Sequence, residues 1–322
     1  MLKGTALTAI GLAVGIAWSA EAETLKVAHS TWVGYGPFYI ARDKGFFQEE
    51  GVDIELVIME DTPSKMGALQ AGQIDLVAST ADEFPIYMPP GKPLRYILAV
   101  DNSKGGDGII ALKDIASVSD LKGKKVAFET GSVSQFFLNA VLREAGMSEA
   151  DIEVVNMTAT DSGVAFVAGQ VDAAVTWEPA LSQGANSAKG HLLLSSADKP
   201  GLITDVVAVT PATAAEHADE LKAFVRAWYR ALDFIKTNPD EANQIMAEGV
   251  GGWLADPAVF KETLAGIEYL DEDGNRAFFG SAEQPGQLTK TLGYALEIWS
   301  DKGRIQAPMM PEDLIDYSFI GG

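Results

Sequence analysis

Carboxylates and aromatic rings recur along this chain where apolar runs give way to loops. Ser79-Thr80-Ala81-Asp82-Glu83 follows one such run and Trp177-Glu178-Pro179 follows another. Asp107 comes just after Gly105-Gly106, and Asp205 opens the run DVVAVT. Trp32 and Tyr35 stand in the loop after the run Leu25 to Ser30. Carboxylates accept charge-assisted hydrogen bonds from a cationic head group, and aromatic faces pack on a small cation or a methylene stem. In Thr130-Gly131-Ser132-Val133-Ser134 hydroxyls and a glycine stand where a helix is due to begin. The free N–H groups of a helix start can receive an anion. Plain capping is the other use of Thr130 and Ser132. Glu129, next in line, offsets part of the positive potential there. These placements suit a small solute with a cationic and an anionic end. No lysine or arginine falls in the loops assigned to this cleft, which argues against nitrate or a bare dianion.

Signals for catalysis are missing from the sequence. It has no G-x-S-x-G elbow, no P-loop and no G-x-G-x-x-G after a strand. His29 ends an apolar run and could act as a base, but a structural role is the expectation. Asp271-Glu272-Asp273-Gly274-Asn275 opens like a calcium loop, yet Arg276 replaces the required glycine and Ala282 the closing glutamate. It reads as a polar turn. The three histidines are scattered and there is no cysteine, so no metal site and no cofactor are expected.

The elements that must position these residues follow from the rest of the chain. Its 322 residues, 47% hydrophobic and 21% charged, have globular composition and length enough for two lobes. A net charge of -21 repels phosphate backbones, so nucleic acid is not an expected partner. Lys3, an apolar run from about Ala6 to Trp18, and Ala20-Glu21-Ala22 read as a signal peptide cleaved after Ala22. That run is shorter than the roughly 20 residues a membrane span needs. With no cysteine for disulfides or lipid attachment, a freely diffusing periplasmic protein is expected.

Apolar periodicity alternates strand and helix from Leu25 onward, the pattern of a largely parallel sheet with helices on its faces. Lys26-Val27-Ala28 recurs as Lys125-Val126-Ala127, DIELV from Asp53 as DIEVV from Asp151, and AGQIDLVAS from Ala71 as AGQVDAAVT from Ala168. Their offsets are 99, 98 and 97 residues. Two related βαβαβ units are therefore expected, each the nucleus of a lobe. Ligands in open α/β sheets sit beyond the carboxyl ends of strands, which brings the loops after Ala28, Ser79, Ala127 and Thr176 to one cleft. Phe38, Tyr39, Phe46 and Phe47 are assigned to the core, as is the tail stripe Phe224, Trp228, Leu232 and Ile235.

The stretches GYGPFYIARDKGFFQEEGVDIEL, ALQAGQIDLVAS, DLKGKKVAFETGS, AGQVDAAVTWEPAL and GLITDVVAV, within about Leu25 to Thr210, resemble the periplasmic solute-binding proteins of ABC importers. The resemblance is to the nitrate, sulfonate and taurine group, which shares a fold with proteins that bind thiamine-precursor pyrimidines. It implies the type II periplasmic binding fold, an α/β architecture of two Rossmann-like lobes joined by two crossover segments. Lobe one would be 25–104 plus 210–322, with a helical C-terminal tail packed on it, and lobe two 105–209. It also implies a permease and its ATPase as partners, a monomer, and no catalysis. In the taurine-binding branch an acid after the crossing and an aspartate at the return strand hold the ligand amine, and Asp107 and Asp205 match those positions. That branch has Trp-Ala-Pro where this chain has Trp177-Glu178-Pro179. The added acid suits related branches that take small nitrogen compounds such as guanidine. The expected function is capture of a small zwitterion, taurine or a related aminosulfonate. A nitrogen-rich cation or a pyrimidine precursor, and an enzyme on the same fold, are the alternatives. The expected ligand-binding set is Trp32, Tyr35, Ser79, Asp82, Glu83, Asp107, Thr130, Ser132, Trp177, Glu178 and Asp205.

Overall fold

The computed structural model describes residues 24–320. The signal-peptide reading, residues 1–22, lies outside them.

The first unit runs β1 (Thr24–His29), α1 (Gly36–Asp43), α2 (Phe46–Glu50), β2 (Asp53–Ile58), α3 (Thr62–Gln70), β3 (Leu76–Thr80), α4 (Phe84–Tyr87) and β4 (Arg95–Ser103). Pro37 sits in the first turn of α1, where a missing N–H leaves no bond unmade. Gly45 and Gly51, at φ 73° and 92°, bracket α2 in a conformation that a Cβ would strain.

The second unit runs β5 (Asp107–Leu112), β6 (Lys125–Phe128), α5 (Val133–Glu144), β7 (Glu153–Asn156), α6 (Ala159–Val167), β8 (Ala173–Trp177), α7 (Ala180–Ala185) and β9 (Gly190–Ser195). The chain returns through β10 (Thr204–Val209) and α8 (Pro211–Glu216). It ends in α9 (Ala218–Thr237), α10 (Pro239–Val250), α11 (Pro257–Leu264), β11 (Ile267–Tyr269), α12 (Glu272–Phe279) and α13 (Gln287–Asp301).

Two sheets result, in the orders β11-β4-β10-β3-β1-β2 and β7-β6-β8-β5-β9. The repeated sequence produces a repeated topology: β1 lies parallel between β2 and β3, as β6 does between β7 and β8. Strands β10 and β5 enter antiparallel, so each sheet contains a strand that has just crossed from the other. The crossings run side by side, with Ser103 Oγ 2.7 Å from Ser196 Oγ and the Ser103 N–H donating to Ile203 O at 3.0 Å.

Helices cover both faces of each sheet, as the buried apolar sets require. Phe38 of α1 packs 5.4 Å from Phe224 and 5.1 Å from Trp228, ring centre to ring centre. Leu221, Phe224, Val225, Trp228 and Leu232 of α9 are buried at helical spacing, with Ile235 partly buried beside them. On the other face of this sheet Leu288 and Leu292 of α13 join Met66, Leu69 and Phe84. In the second sheet Phe137, Leu138 and Val141 of α5 cover one face and Phe166 and Leu181 the other.

The last helix also reaches the second unit. Ala295, Ile298 and Trp299 of α13 cluster with Phe136 and Ala140 of α5 and with Ile86. Arg143 pairs with Glu297, and Lys302 with Glu149 at 3.0 Å. The tail thus packs on the first sheet and ties it to the second. Asp271, read from sequence as a turn, accepts the Gly274 N–H at 3.1 Å and caps α12. Among the described residues no helix is long and apolar enough to cross a membrane.

Candidate functional site

A cavity of about 570 Å³ opens between the two sheets at the carboxyl ends of the parallel strands. Trp32 and Tyr35 border it from the loop after β1, Ser79 and Glu83 from the end of β3, and Asp205 from the start of β10. Asp107 enters from β5, Thr130 and Ser132 from the loop after β6, and Trp177 from the end of β8. Nine of the eleven residues expected from sequence therefore share one cavity.

Asp82 and Glu178 do not line it. In the turn after β3 Glu83 lines the cavity, whereas Asp82 is buried beside Trp299 of α13. Among the described residues neither Asp82 oxygen has a hydrogen-bond partner, and its main-chain carbonyl accepts Trp299 Nε1 at 2.9 Å. Burial, with Glu83 beside it, pushes the Asp82 carboxyl well above the usual range. Glu178 turns back on its own chain, accepting the Ser182 N–H at 3.1 Å and Ser182 Oγ at 2.7 Å. It satisfies the start of α7 and adds no acid to the cavity.

The wall does contain one cation, supplied by a helix and not by the loops assigned to the cleft. Lys65, one turn into α3, is 1% exposed and its Nζ donates to Ala78 O at 2.9 Å. Burial lowers its pKa, while Glu83 and Asp205 oppose that shift. The sequence reading considered loops and overlooked a first helical turn, although three residues past a helix start is the same face again. It also passed over Glu60 and Asp61 after β2, which the strand-end rule covers, and Trp253 in the tail, which carries no local signal. In all, six acidic side chains line the cavity: Glu60, Asp61, Glu83, Asp107, Glu129 and Asp205. Among the described residues Lys65 is the one lysine or arginine that lines it.

The buried acids are held by specific donors. Tyr35 donates its hydroxyl to Asp205 Oδ1, and Trp32 Nε1 donates to Asp101 Oδ2 at 3.3 Å. Ser103 Oγ, at the first crossing, donates to Asp107 Oδ2 at 2.6 Å. Desolvation raises all three carboxyls, Asp205 to about 7 and Asp107 to about 6, with Asp101 well above the usual range. Asp107 adds to the shift at Asp205, while the Tyr35 hydrogen bond works against it. The second oxygens of Asp107 and Asp205 accept no hydrogen bond from the described residues, although these residues are only 7% and 5% exposed and border the cavity.

Glu83 joins the two sheets. Its Oε2 accepts Thr62 Oγ1 at 2.6 Å and Ser79 Oγ at 2.8 Å, and its Oε1 accepts the Val133 N–H of α5 at 2.9 Å. Ser132 caps the same helix by accepting the Ser134 N–H at 3.1 Å. The Thr130 hydroxyl makes no hydrogen bond within the described residues and is open to the cavity. His29 is buried outside the lining. Its ring nitrogens meet Tyr39 Oη at 3.0 Å and Ser30 O at 2.8 Å, and burial lowers its pKa to about 4.

Known proteins share this fold. The taurine-binding periplasmic protein of Escherichia coli is 23% identical over 319 residues, covering 95% of this chain and 94% of its own. A Brucella abortus relative with the general designation of binding protein is 24% identical over 291 residues, 86% of each chain. The crystal structure of the periplasmic aliphatic sulphonate binding protein SsuA from Escherichia coli superposes with a TM-score of 0.75 at 20% identity, covering 94% of this chain and all of that one. At that identity the likeness establishes the fold, that of a periplasmic binding protein. A family model matches residues 32–242, from the loop after β1 through the second unit to the start of α10, and by that match the chain belongs to the NMT1/THI5-like family.

Proposed function

We propose that this protein is the solute receptor of an ABC importer. Exported by its N-terminal segment, it captures a small polar solute between two lobes and delivers it to a membrane permease with its ATPase. The lobes are taken as 25–104 with 204–322, and 105–203, because β10 (Thr204–Val209), which the sequence assigned to lobe two, lies in the first sheet. The observation that carries the reading is the pair Asp107 and Asp205. Each sits on a strand that has just crossed between sheets, each is nearly buried, and each keeps an oxygen open to the cavity. Carboxylates so placed receive the positively charged end of a solute, the amine of taurine or a related aminosulfonate among the candidates. Trp32, Tyr35 and Trp177 supply faces for its apolar part.

The relatives that bear the names of taurine-binding and sulphonate-binding proteins support the importer reading. Both ring nitrogens of His29 are engaged outside the cavity, so the site is read as binding without chemistry. Lobe closure draws its free energy from contacts made only when both sheets meet the solute. Because the two aspartates flank the crossings, they stay near the solute as the lobes move, while Trp177 and Thr130 approach from the second sheet.

Isothermal titration of the chain from Glu23 onward against amines, guanidines, aminosulfonates, sulfonates and nitrate tests the reading. One solute is expected to bind tightly. Replacing Asp107 or Asp205 by Asn should weaken it by ~1.5–3 kcal/mol, the worth of a charged hydrogen bond. Binding unchanged in both variants would remove the two aspartates from the site.

A further inference from the structure

We infer that the solute is an organic cation with no anionic group, a guanidinium, amidinium or ammonium head on a small apolar body. This rests on the receptor reading and deepens it. Anions in folds of this kind have an obvious place to go, the N–H groups of helix starts. Three helices border the cavity with residues of their first turn, and each of those starts already faces a carboxylate of this chain. At α5 the Val133 N–H donates to Glu83 Oε1 at 2.9 Å. At α3 the Ser64 N–H donates to Asp61 Oδ1 at 2.8 Å. At α6 Glu129 borders the cavity together with Ala159.

Glu83 is the strongest of the three. It is 7% exposed, it accepts three hydrogen bonds, and it arrives from the other sheet, so it occupies the place that a ligand anion bridging the sheets would take. A sulfonate or carboxylate would have to displace it and then lie among six acids. Lys65 offers little relief, since its ammonium group donates to Ala78 O and already balances Glu83 and Asp205. The open oxygens of Asp107 and Asp205 border the cavity and, among the described residues, accept no hydrogen bond from a lysine or arginine. The size of the solute follows from the walls. A cavity of about 570 Å³ with Trp32, Tyr35, Tyr87, Trp177 and Trp253 on its border holds more than a bare guanidinium ion.

Matched probes test this on the mature chain at pH 8: butylamine and butylguanidine as cations, taurine as zwitterion, butanesulfonate as anion. Titration is expected to show a cation bound at least tenfold more tightly than taurine, with no binding of butanesulfonate. Glu83→Gln keeps an acceptor for Val133 without the charge and should lower cation affinity about tenfold at unchanged melting temperature. Glu83→Ala, which empties the α5 start, should weaken the cation and let taurine compete. Wild-type protein that binds taurine or butanesulfonate as tightly as its matched amine overturns the cation inference and leaves the receptor reading standing. If no probe of either class binds, both fall. Unchanged cation affinity in Glu83→Gln overturns the role given to Glu83.

Discussion

Asp101 and Asp205 are direct partners across the β4–β10 ladder, two buried acids side by side in a sheet, with Trp32 and Tyr35 as their side-chain donors. Among the described residues neither has an arginine or lysine in hydrogen-bonding contact. A like-charged buried pair is tolerated when at least one member holds its proton; burial raises both carboxyls, and Asp205 adds to the shift at Asp101.

The burial of Asp205 and Asp107 makes solute binding depend on pH. Asp205 at about 7 and Asp107 at about 6 are partly protonated in the free protein, whereas a cation binds their charged forms. Affinity for a cation should therefore rise from pH 5 to pH 8 and level off above it, with protons released on binding. Titration in buffers of different ionisation enthalpy counts those protons. The stability of the ligand-free protein moves the other way. Both pKa values are raised on folding, so their contribution is fully present below about 4 and is lost as pH rises to about 7. Asp205→Asn should flatten both profiles.

Asp82 separates a structural acid from the binding ones. Its carboxyl is buried without a hydrogen bond, so ionisation at high pH works against the fold. Asp82→Asn is expected to melt higher than wild type at pH 8 and to bind solute within twofold of it. A tenfold loss of affinity would return Asp82 to the site.

Glu178 makes the complementary case. Removing its carboxylate in Glu178→Ala leaves the Ser182 N–H and hydroxyl at the start of α7 without their acceptor. Loss of such a cap costs about 0.5–2 kcal/mol. Urea unfolding should show that loss while solute affinity stays the same.

Trp299 reports on the tie between sheets. It is fully buried between α13 and α5, 6.4 Å from the Phe136 ring, and donates to Asp82 O. Truncation to Ala should cost about 3–5 kcal/mol. Because the contact spans both units, the variant should also unfold with less cooperativity, visible as separate transitions by fluorescence and circular dichroism.

The alternation of strand and helix, the repeated unit and the strand-end cleft are all local in origin. Periods of two and 3.6 residues and the recurrence of three short words are properties of neighbouring residues, and they sufficed to bring nine of eleven chosen side chains to one cavity. What neighbours do not carry is direction. Whether Asp82 or Glu83 meets the cavity depends on how one turn packs against Trp299, more than two hundred residues away. Lys65 enters the wall only because α3 lies with its first turn toward the second sheet. That Glu83 reaches Val133, filling a helix start that looked open to an anion, depends on the distance between two sheets. Sequence determined which elements form and which ends of them face each other. Only the tertiary packing decided which charges meet there, because charges interact through space and not along the chain.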